Sequence, residues 1–129
     1  MRDFAAWHAW LETMRAQPFA WGTNDCVTFA ARSTCALTGR NPLRGIARWK
    51  TERGALLALA RAGGIDIAVS AVLTEVPIAL AHRGDVGAVE DERGMFLMVI
   101  DASILVGPGV EGLIYYPRER LVHSWSVGS

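Results

Sequence analysis

A chain of 129 residues suits one domain, and with 51% hydrophobic and 20% charged residues it can build a real core, which excludes an intrinsically disordered chain. Thirteen basic residues balance thirteen acidic ones, so the net charge is zero and no nucleic-acid partner is implied. No run of about 18 uncharged apolar residues occurs, so no membrane span is expected, and Asp3 and His8 interrupt the apolar stretch a secretory leader needs.

Residues 3–15 are predicted as a first helix. Phe4, Trp7, Leu11 and Met14 recur on one helical face, with Asp3 as N-cap. Gln17-Pro18 ends it, because the residue before proline avoids helical dihedrals. After a short connection, Cys26 to Leu37 is predicted as a second helix, capped by Asn24 or Asp25 and stopped by Gly39. Only Arg32 is charged on it, so it is expected to be central and buried. Residues 40–50 read as a loop. Thr51 caps a third helix through Arg61, which Gly63-Gly64 ends. Ile65 to Leu80 is apolar and broken by Pro77, and periodicity assigns it nothing.

From Arg83 the period becomes strand-like. Strands are predicted at 85–89, 95–100, 103–106 and 113–116, with Asp91 to Gly94 as a turn and Gly107 to Gly112 as a loop. The run Met95 to Ile100 is continuously apolar and is expected to be central and covered on both faces. The tail from Leu121 to Val127 reads as a fifth strand or a last helical turn. Helices first and a meander second give an α+β fold with an antiparallel sheet of four to five strands.

Two cysteines nine residues apart on one helix lie about 13.5 Å apart and on opposite sides, too far for a disulfide. Histidines at 8, 82 and 123 are scattered, so no metal site is expected, and no cofactor is implied. One segment carries chemistry: Trp21-Gly22-Thr23-Asn24-Asp25-Cys26. It sets a cysteine on the first turn of a helix, where partial positive charge and free N–H groups favour a thiolate. The bland alternative is a small apolar residue opening a buried helical face.

Phe19-Ala20-Trp21-Gly22 with Asp25-Cys26, followed by Arg83-Gly84-Asp85-Val86 at the opening of a small sheet, resembles the NlpC type of papain-like cysteine peptidase. The likeness runs over residues 3–127 and is greatest to the short phage and prophage proteins found among tail genes. It implies a single papain-like domain over 1–129, with N-terminal helices packed on the sheet. It also implies Cys26 as nucleophile, Trp21 and Asp25 as substrate-binding residues, and cell-wall peptides as substrate. The pattern departs at the general base, a histidine opening the strand after Gly-Asp-Val. Here that stretch is Gly94-Met95-Phe96-Leu97-Met98. A cysteine peptidase uses that imidazole to hold the thiolate and to protonate the leaving amine. Of the three histidines, His123 in the tail is the freest to replace it.

Three readings remain open. One is a tail-tip or tail-assembly protein with a decayed site, whose partners are other phage tail proteins and whose location is the virion after cytoplasmic synthesis. Another is an active hydrolase of peptidoglycan peptides. The third is a small cytoplasmic acyl-transfer enzyme using Cys26. The missing histidine favours the first.

Overall fold

A computed structural model describes all residues, 1–129. Four helices come first: α1 (Phe4–Met14), α2 (Cys26–Thr38), α3 (Glu52–Ala62) and α4 (Ile65–Ser70). Six strands follow: β1 (Thr74–Glu75), β2 (Val86–Asp91), β3 (Gly94–Asp101), β4 (Ile104–Gly109), β5 (Gly112–Pro117) and β6 (Leu121–Ser126). The helix ends follow their capping residues. Asp3 accepts the Ala6 N–H, Thr51 accepts the Gly54 N–H, and Gly39 and Gly63 close α2 and α3 with left-handed backbone.

The strands form one antiparallel sheet in the order β1-β6-β2-β3-β4-β5. β3 lies inside it, between β2 and β4, and Leu97 to Ile100 are buried. Leu97 and Val99 join the main core with Trp7, Phe29, Val86, Ala88 and Trp125. Met98 and Ile100, on the opposite face, join a smaller cluster with Ala81, Val89, Leu105 and Leu121. Both faces of β3 are therefore covered, as its unbroken apolar run requires. Each fully buried side chain of this size contributes roughly 1.5–3 kcal/mol. α2 lies over β3 and β4 and against α1, where the Trp7 indole N–H donates to Ser33 Oγ at 2.8 Å.

The sheet exceeds the expected four to five strands by one. β1 is two residues long, beyond the reach of any period, and exists because Thr74 and Glu75 pair with Ser126 and Trp125. The ambiguous stretch 65–80 divides into α4, β1 and a single 3-10 turn at Ile78–Leu80. The tail is a strand, β6.

Gly107-Pro108-Gly109 is not loop but the end of β4, and only Val110 and Glu111 form the turn. Pro108 is tolerated because β3 pairs with β4 only through Val106. Opposite Pro108, the Leu113 N–H points away, to the Arg15 carbonyl at 3.2 Å. Gly112 holds the turn against α1. Its φ is +131°, and a Cβ there would strike the Arg15 carbonyl oxygen.

No helix is long and apolar enough to cross a membrane.

Candidate active site

Cys26 is the first residue of α2, and the carboxylate before it builds its surroundings. Asp25 Oδ1 accepts the N–H groups of Val27 and Thr28 at 3.0 and 2.9 Å. The Thr28 hydroxyl in turn accepts the Asp25 N–H at 2.8 Å, completing a capping box. Asp25 Oδ2 accepts the Gly22 N–H and the Trp49 indole N–H, both at 2.8 Å. The residue is wholly buried. With four donors on its two oxygens, Asp25 is the keystone of the loop and presents no free oxygen to a substrate.

The preceding turn is equally tied. Asn24 Nδ2 donates to the carbonyls of Gln17 and Pro18 at 3.3 and 3.0 Å, and its buried Oδ1 has no donor. Trp21 is half-buried and packs edge to face on Phe19, with ring centroids 4.9 Å apart. Of the two expected substrate-binding residues it is the one that is partly exposed.

Cys26 itself is partly exposed, and neither it nor Cys35 is bridged. Burial of the sulfur against the main core pushes the thiol up from 9.0 to about 12. The Leu97 N–H of β3 and the N–H groups of Cys26 and Val27 pull it down, while the Asp25 charge adds to the rise. The N–H groups of the helix start do favour a thiolate, as expected, but desolvation acts the other way and is the larger effect. At pH 7 the thiol therefore stays protonated.

No imidazole reaches this sulfur. Met95 is the first residue of β3 to pack against the main core, where the resemblance places the base. His123, the candidate replacement, stands on β6. The register His123–Ala88–Leu97 puts it two strand spacings, about 10 Å, from Leu97. There its Nδ1 lies 2.7 Å from Glu75 Oε2, its Nε2 lies 3.9 Å from Asp66 Oδ2, and its ring stacks on Trp125. The structure does not bring His123 and Cys26 together. His8 is bound to the Arg83 guanidinium, and His82 is exposed ahead of β2. No three His, Cys, Asp or Glu side chains are grouped to hold a metal.

One feature here escaped the sequence: the Trp49–Asp25 bond. It joins residues far apart in the chain, and no local pattern announces it.

A buried helix that starts on a cysteine, laid over an antiparallel sheet, is the α+β arrangement that the resemblance implies. Among solved structures the chain is similar to the NlpC/p60 domain of the peptidoglycan hydrolase SagA, with a TM-score of 0.61 and 16% identity over 96% of this chain and 98% of that one. Residues 2–127 match the family described as "Domain of unknown function (DUF6950)", and the chain belongs to that family. No curated protein matches it by sequence.

Proposed function

We propose that this chain, as a single NlpC-like domain over residues 1–129, has kept the fold of a cell-wall peptidase and lost its chemistry. In this reading it serves as a tail-tip or tail-assembly component of a phage or prophage particle, bound to other tail proteins. One observation carries the loss of activity. The sulfur of Cys26 is desolvated and has no imidazole, because Met95 occupies the start of β3. Without a general acid the leaving amine departs unprotonated, a deficit of roughly 10²–10⁴ in rate. The tail assignment rests on the likeness of the Trp21-Gly22 and Asp25-Cys26 segment to short tail-gene proteins.

The alternative, an active hydrolase of peptidoglycan peptides, is favoured by the name of the SagA neighbour and by the Leu97 N–H at the thiol. Incubation of the purified chain with peptidoglycan fragments separates the two, with Cys26→Ala as control. No release of peptides is expected, and cleavage that depends on Cys26 would establish the alternative. Mass spectrometry of particles purified from an induced host tests the tail role. Absence of the chain from intact particles would defeat it.

A further inference from the structure

The zero net charge hides a segregation. Residues 40–61 hold six of the thirteen basic residues and one of the thirteen acidic ones. Arg44, Arg48, Lys50, Arg53 and Arg61 are all exposed, and none forms an ion pair or side-chain hydrogen bond. On the same segment Leu56 and Leu57 are 59% and 49% exposed. α3 spends Ala55, Ala58 and Leu59 on the core, so its outward ridge is two leucines flanked by arginines.

The complement lies on the sheet. Glu90, Glu92 and Glu111 are exposed and unpaired. In the antiparallel order β2-β3-β4-β5 the β2–β3 turn carries Glu92 and the β4–β5 turn carries Glu111. The β2–β3 and β4–β5 turns lie at the same end of the sheet; Arg93 there is taken up by Asp91, which leaves Glu90, Glu92 and Glu111 in excess. No ion pair joins it to the basic segment within the chain.

We infer that the basic 44–61 surface, with Leu56 and Leu57, docks on the acidic β-turn end of a second copy of this chain. The two surfaces differ, so the contact is head-to-tail, and repetition builds a ring or a filament. Lipid is the poorer occupant. An interfacial helix needs a broad apolar face, and that of α3 is already buried in its own core. The inference does not depend on whether Cys26 is active.

The test is sedimentation of the full chain over a range of concentrations. At about 20 mM salt the weight-average mass should rise above the monomer, and at about 0.5 M it should return to monomer, since screening collapses surface attraction. Arg48→Glu with Arg53→Glu, and separately Glu90→Arg with Glu92→Arg, should each weaken self-association at least tenfold. Each doubly substituted chain keeps one native surface. Mixing them should therefore restore association, because the native basic surface of one meets the native acidic end of the other. Thermal melts within a few degrees of the wild type show that the variants are folded. A chain that is monomeric at all concentrations in low salt overturns the inference. So does association that survives both charge reversals, or folded variants that fail to pair on mixing. Binding to vesicles of anionic phospholipid by a chain that stays monomeric would instead assign the surface to a membrane.

Discussion

Trp49 and Asp25 stand 24 residues apart in the chain, yet the indole N–H of one donates to the buried carboxylate of the other at 2.8 Å. Through this bond the loop before α3 holds the cap of the helix that Cys26 opens. Trp49→Phe keeps most of the apolar bulk and removes the donor. It should lower stability by about 1–3 kcal/mol, as a lower urea midpoint with an unchanged slope. An unchanged midpoint would show that the bond is dispensable.

The two thiols should differ sharply in reactivity. Cys35 is exposed and should react with iodoacetamide at neutral pH. Cys26 should react only on unfolding, because burial holds its thiol near 12. Peptide mapping after timed alkylation distinguishes them.

The same shift sets a pH dependence. The folded thiol titrates near 12, above the ordinary 9.0, so between these values the folded chain keeps a proton that the unfolded chain loses. This contribution is therefore whole below about pH 9 and is lost as pH rises towards 12. Melting temperatures of wild type and Cys26→Ala, compared from pH 7 to above 9, should converge as the wild type loses its share. Parallel curves would contradict the shift.

Met95→His restores an imidazole at the start of β3, on the face that packs against α2. It should draw the thiol down and raise the rate of Cys26 alkylation at pH 8 at least tenfold over the wild type. If slow cleavage of cell-wall peptides also appears and vanishes in the Cys26→Ala background, the missing base was the main lesion. Unchanged alkylation would place the obstacle in the burial of the sulfur.

Asp85 is buried and accepts N–H groups from His82 and Val127 and from the Arg2 guanidinium, the last at 2.6 Å. Arg2 also donates to the carbonyls of Arg83 and Gly128, so this cluster ties both termini to β2. Arg2→Ala leaves a buried carboxylate short of its counter-charge and should cost about 3 kcal/mol. Carboxypeptidase should then remove Gly128 and Ser129 faster than from the wild type, and an unaltered rate would show that the clasp is not needed.

The sequence alone determined the features set by short-range rules. Asp3, Thr51 and one of Asn24 and Asp25 begin helices and Gly39 and Gly63 end them, because caps and left-handed turns involve residues three or four apart; the structure chooses Asp25. The burial of β3 on both faces was legible in its unbroken apolar run, and the NlpC-like fold in the Trp21-Gly22, Asp25-Cys26 and Gly84-Asp85 segments. What only the tertiary structure decided concerns partners distant in the chain. β1 is a strand because β6 lies beside it, and Pro108 stays in β4 because β3 has already parted from it. The placement of His123 against Glu75 and Asp66, two strand spacings from Leu97, follows from the sheet order. The state of Cys26 is the clearest case. A helix N-terminus favours a thiolate and is visible locally, whereas desolvation depends on every group packed around the sulfur, and here desolvation is the larger effect.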